Sequence, residues 1–201
     1  MTFTLIMHFT HEDDEPIEPR FDGEPDDDGG MNLKTVYDTL SRTPAAFRAL
    51  LSGASEQALA YREAADAWNA HEVLCHVTDG EVTDWRPRVA IIMANGDKRF
   101  TPFDRLGGHR TYGRWPIPAL LDEFDRLRRD NLSYLAQLNL DSAALSHTGL
   151  HPEFGAVTLE QLLSCWMVHD LAHIAQISRS LVRHFGPEVG PWKKYFSLLR
   201  S

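Results

Sequence analysis

Residues 158–185 read TLEQLLSCWMVHDLAHIAQISRSLVRHF, and this stretch decides the fold. Thr158 is a good N-cap, Gln161 three residues on completes a capping pattern, and Phe185-Gly186-Pro187 closes the run. Leu162, Trp166, His169, His173, Ile177 and Ser180 share one stripe at helical spacing. The stripe is mostly apolar, which turns its two histidines towards an interior. His169 and His173 lie about 40° apart around the helix and one turn along it, so their rings point the same way. A buried imidazole pair must be satisfied. A divalent metal held by neutral nitrogens is one way, and hydrogen bonds to carboxylates are another.

Working outward, three more helices precede this one. Leu33, Val36, Tyr37, Leu40, Phe47, Leu50 and Leu51 mark the first, over 33–51, with Pro44 as an expected kink or break. A polar connector over 52–68 has room for one short turn of helix. Asn69 and Glu72 form a capping pair that opens the second helix, which runs to Asn95-Gly96 with a bend expected at Pro87. Residues 96–118 make a long loop rich in Gly, Pro and aromatics, of a length that carries function or covers a site. The third helix spans 119–137, with Leu120, Leu121, Phe124, Leu127, Leu132, Leu135 and Leu138 on its buried side. Residues 139–157 connect it to the last long helix, and the tail over 191–200 adds a final turn or two. No segment alternates as a strand does. The expected fold is therefore all-α, an antiparallel four-helix bundle with long loops and a short C-terminal helix.

Composition narrows the function. The chain has 201 residues, 43% hydrophobic, enough for one cored domain over 31–201. Its net charge is −9, yet residues 1–30 hold ten acids against the single base Arg20, so the remainder is formally neutral. Residues 1–30 read as a flexible acidic extension. A neutral domain without a basic stripe argues against nucleic-acid binding. Hydrophobic runs are too short to span a bilayer, and the start makes a poor secretory signal. Cys75 and Cys165 stand alone inside helical patterns, as expected of small core residues in a reduced, cytoplasmic protein.

Residues 71–76, HEVLCH, superficially suggest a zinc protease, but that signature needs histidines four apart. Five residues turn His71 and His76 about 140° away from each other. His76 shares a face with Val73, Val77 and Gly80, and Gly80 leaves room either for a ligand or for close helix packing. His76 together with His169 and His173 would give three nitrogens with a coordination position left open, the pattern of catalytic rather than structural zinc.

HEVLCHVTDGE (71–81), followed by HPEFGAVTLEQLLSCWMVHDLAHIAQI (151–177), resembles the DinB-like superfamily, as do Asp66-Ala67-Trp68-Asn69 and RPRVAIIMANGDKRFTPFD (86–104). The likeness covers most of 31–185, and the acidic extension has no counterpart in it. It implies a four-helix bundle, commonly a homodimer, holding a divalent ion through His76, His169 and His173. His71 is then a bystander in a first helical turn. Zn or Ni is the expected metal, with Fe or Mn as alternatives. The implied activity is that of a thiol S-transferase working on a small molecule, with a low-molecular-weight thiol as cosubstrate. A metal-dependent hydrolase and a non-catalytic binding or dimerisation module are the alternatives.

Seven other positions are weighed beside the three. His151 either lines the site mouth or hydrogen-bonds backbone. Asp79 and Asp170 neighbour the proposed ligands, but Asp170 turns well around its helix, towards an interhelical partner or solvent. Glu81, a candidate base, falls off the metal face and is expected to pair elsewhere. Trp68, Trp115 and Trp166 either shape a pocket or pack in the core.

Overall fold

The computed structural model describes residues 32–200; the acidic extension expected over 1–30 lies outside them. The chain forms α1 (Leu33–Leu51), α2 (Glu56–Ala60), α3 (Ala70–Thr83), α4 (Trp85–Met93), α5 (Gly107–Tyr112), α6 (Ile117–Gln137), α7 (Ser142–Leu145), β1 (Thr148–His151), β2 (Gly155–Thr158) and α8 (Leu159–Phe185). Two 3-10 segments, Gly186–Tyr195 and Ser197–Leu199, follow. α6 and α8 each pack against both α1 and α3, which sets the four long helices in the cyclic order α1, α6, α3, α8. The four-helix bundle is as expected. Among the described residues, no helix is long and apolar enough to cross a membrane.

Both expected capping boxes are present. The Asn69 side chain accepts from Glu72 N at 2.9 Å while Glu72 Oε2 accepts from Asn69 N at 3.0 Å. Thr158 and Gln161 do the same at the start of α8. Each box satisfies two N–H groups that a helix start leaves without partners, and so fixes where the two histidine-bearing helices begin.

The two prolines behave differently. Pro87 ends α3 as a rod: the chain breaks at Asp84, because a proline ring clashes with the carbonyl four residues back, here that of Thr83. Of the kink or break expected at Pro44, the break is absent: α1 runs on through it to Leu51. Pro44 leaves the Leu40 carbonyl without a helical donor, but Arg128 Nη1 donates to that carbonyl at 2.9 Å.

The expectation of no strands is corrected by a hairpin in the α7–α8 connector, where Thr148 pairs with Thr158 and His151 with Gly155. Gly149 lies against Phe100, whose ring stands 2.3 Å from where a Cβ would be. Backbone bonds hold β1 to the Phe100 loop: Phe100 N–H donates to the Leu150 carbonyl at 2.9 Å and Leu150 N–H to that of Lys98 at 2.8 Å.

Apolar side chains gather in two clusters, one around Phe47, Leu74, Leu120, Phe124 and Ile177, the other around Leu40, Trp85, Val89, Leu159 and Trp166. Arg128, 1% exposed, sits where they meet, its guanidinium 5.0 Å from the Phe124 ring centre and 5.2 Å from that of Trp166.

Candidate metal centre

α3 and α8 bring the three expected histidines together. His169 Nε2 stands 3.0 Å from His76 Nε2 and 3.1 Å from His173 Nε2, and one ring nitrogen from each of the three lies within 4.8 Å of the others. The stripe read on α8 is confirmed as inward: Leu162, Trp166, Ile177 and Ser180 are all buried. Val73, Val77 and Gly80 flank His76 and are buried as well. The space beside Gly80 belongs to Trp85, whose Nε1 would lie 3.1 Å from an added Cβ, so close packing accounts for the glycine.

The donor chemistry fits a cation. Burial pushes the imidazoles of His76 and His169 down to about 3, helped at His76 by His169, His173 and Arg105 and at His169 by His173 and Arg128. Burial lowers His173 too. All three are therefore neutral near pH 7. His173 Nδ1 faces Gln176 Oε1 at 2.9 Å; a carbonyl oxygen only accepts, so Nδ1 carries the proton and Nε2 presents its lone pair. A neutral His169 has at most one Nε2–H, which cannot donate linearly to both neighbours. At least one close N···N contact is therefore left without a directed hydrogen bond. A divalent ion shared by the three removes that shortfall. Both separations are below twice the roughly 2 Å that imidazole nitrogen keeps from zinc.

Aromatic rings wall the cluster. Trp68 packs on His76 with ring centres 4.8 Å apart, Phe103 at 5.4 Å, and Trp85 lies 5.1 Å from His169. His109 buttresses Trp68 at 4.7 Å and donates Nε2–H to the Glu72 carbonyl at 3.1 Å. At His173 the centre adjoins a cleft of about 570 Å³, lined also by Asp66, Trp68, Arg105, Leu106 and Gln176. The long loop thus covers the site, as its length suggested. Phe103, His109, Gln176 and Trp85 escape the sequence reading. Gln176 was findable: it sits three residues past His173, within reach of its ring.

The weighed alternatives fall elsewhere. Glu81 Oε1 accepts from Arg128 Nη2 at 2.7 Å and from Trp166 Nε1 at 3.0 Å, and its Oε2 from Arg128 Nε at 3.1 Å. Asp170 Oδ2 accepts from Arg128 Nη1 at 2.6 Å and from Thr43 Oγ1. Asp79 is covered by α5 and accepts from Thr83 Oγ1 at 3.1 Å; burial raises its pKa. His151 Nδ1 accepts from the backbone N–H groups of Glu153 and Phe154 at 3.2 and 3.3 Å, the backbone role anticipated for it. His71 donates Nε2–H to the Trp115 carbonyl at 2.9 Å, a bystander. Of the tryptophans, Trp68 lines the cleft, Trp166 is core and Trp115 is 40% exposed. Cys75 is buried as expected, its thiol pushed up to about 12 by burial; Cys165 is exposed, because it falls outside the inward stripe of α8.

Comparison with known proteins agrees with this architecture. YfiT from Bacillus subtilis, described as a probable metal-dependent hydrolase with an unusual four-helix bundle topology, is similar to the chain at a TM-score of 0.67. The match covers 82% of this chain and 95% of that one at 18% sequence identity, which carries the fold alone. No curated protein matches the chain. The sequence profile of the DinB superfamily, in contrast, matches residues 39–177, a span that takes in α3, the hairpin and all three histidines. A bundle with its histidines on the second and last long rods, and a family profile running over more than half its length, make the chain a member of the DinB superfamily.

Proposed function

We propose that this chain is a metal-dependent enzyme in which His76, His169 and His173 hold a divalent cation, and that it transfers a thiol to an electrophilic small molecule. The observation that carries the reading is the convergence of three neutral Nε2 atoms from two helices, beside an open cleft that His173 lines. When bound, such a cation supplies a Lewis acid that favours thiolate over thiol and lowers the pKa of water towards about 7.

The protein's own residues do the rest. Gln176 fixes the tautomer and aim of His173. Trp68, Phe103 and Trp85 exclude water from the flanks of the ring cluster. Glu81 and Asp170 are committed to Arg128, and Asp66 is the only carboxylate lining the cleft among the described residues. A nucleophile that ionises easily suits a site without a buried base, which favours a thiol over water. Hydrolysis is the second reading, supported by the description of YfiT. The exposed pair Val168 and Leu171, at i and i+3 on α8, supports a homodimer.

The test is turnover of an electrophile with low-molecular-weight thiols, beside an ester panel, by metal-loaded protein and by His76→Ala. Thiol-dependent turnover that His76→Ala loses while staying folded supports the proposal. Turnover of esters alone moves the assignment to hydrolysis, and inactivity on both panels leaves a binding module.

A further inference from the structure

The long loop also brings a cation to the cleft that the three-histidine chemistry leaves unused. Arg105 lines the cleft alongside His173, and its Cζ stands 5.4 Å from the Trp68 ring centre. Trp68 is the ring that packs on His76, so one indole touches both the guanidinium and a member of the histidine cluster. Among the described residues, no carboxylate pairs with Arg105; its neighbour Asp104 is bound to Arg110 instead. A guanidinium lying over an indole uses its face, which leaves the N–H edges to grip a planar oxyanion. Gln176 supplies a second donor: its Oε1 is occupied by His173, while its amide nitrogen has no protein partner among the described residues.

We propose that Arg105 and the Gln176 amide form an anion subsite that reads a carboxylate on the small molecule whose reacting atom sits at the three histidines. Asp66 lines the same cleft and has no cationic partner among the described residues. It repels negative charge from its own part of the wall, which favours a singly charged carboxylate over a multiply charged phosphate. The substrate class is a small thiol, or comparable nucleophile, with one carboxylate placed away from the reacting atom. Arg105 is a specificity residue in this account. The inference rests on the metal reading for where the reacting atom sits, but not for the anion contact itself.

The full chain loaded with Co(II) allows thiolate binding to be titrated by its charge-transfer absorption. Mercaptopropionate and its methyl ester differ only in the carboxylate. In the unmodified protein the acid binds more tightly than the ester, and Arg105→Gln reduces that preference by about ten-fold or more, the size of a charge-assisted hydrogen bond. Arg105→Lys retains part of it. Equal affinities in the unmodified protein, or a preference that survives Arg105→Gln, overturn the proposal. Failure to take up Co(II) would instead defeat the metal reading alone. The subsite is then judged by the NMR resonance of the Arg105 Nε–H, identified by its loss in Arg105→Gln. That signal shifts with mercaptopropionate and not with the ester; no shift overturns the subsite.

Discussion

Arg128 donates Nη1–H to the main-chain carbonyl of Leu40 at 2.9 Å, in place of the N–H that Pro44 lacks. The same side chain holds Glu81 on α3 and Asp170 on α8, so one guanidinium joins α1, α3, α6 and α8. Arg128→Met takes the charged partner from two buried carboxylates, which keep neutral donors such as Trp166 and Thr43, and a donor from the Leu40 carbonyl. The expected loss is about 3–5 kcal/mol, read from urea unfolding. Adding Pro44→Ala returns an N–H to Leu40, so the double variant loses less than the two single losses combined, by about 0.5–3 kcal/mol. Strict additivity would disprove the coupling.

Gln176 acts on His173 through a single hydrogen bond. Gln176→Ala frees the ring to turn and is expected to weaken metal affinity about 10–100-fold. His169→Ala, which removes the central nitrogen, abolishes stoichiometric binding. Competition with a chromogenic chelator measures both, and unchanged affinity in Gln176→Ala would remove its orienting role.

Gly108 lies so close to α3 that a Cβ would stand 2.4 Å from the Cys75 carbonyl oxygen and 2.9 Å from Asp79 Cβ. Neither neighbour is a flexible side-chain end. Gly108→Ala must push α5 away, at a cost of about 1–3 kcal/mol. It also loosens His109 from Glu72 and Trp68, which a change in tryptophan emission would report.

Acid should destabilise the metal-free protein from near neutrality downward. His76 and His169 bind a proton near pH 6.5 when unfolded but only near about 3 when folded. Between those values the unfolded chain binds more protons, so stability is present above about pH 6.5 and is lost as pH falls towards about 3. In chelator-treated protein, the urea midpoint of the unmodified chain drops more between pH 7 and 5 than that of His169→Gln. Parallel profiles would contradict the assignment.

The sequence announced the parts of this molecule that rest on periodicity and caps. Asn69 with Glu72 and Thr158 with Gln161 fix two helix starts, and the apolar stripe of α8 aims His169 and His173 inward. What stayed hidden depends on tertiary partners. Arg128 and Asn131 fall on the apolar side of α6, among Phe124 and Leu132, yet a charged residue reads as solvated unless its carboxylates are known to face it. Arg128 sits four residues past Phe124, a spacing that already carried that signal. The persistence of α1 through Pro44 was likewise illegible, because the donor that makes it tolerable comes from 88 residues away. The hairpin escaped notice because its strands are four residues each and β1 makes further backbone bonds with Lys98 and Phe100, about fifty residues earlier.

His76 and His169 stand 93 residues apart along the chain and 3.0 Å apart in space. A cation shared between them would be a clasp fastened only after α8 has joined the earlier helices, since neither rod alone offers three nitrogens. Loading and final closure of the fold then become a single event, and ion scarcity would show itself first as slow maturation of the chain.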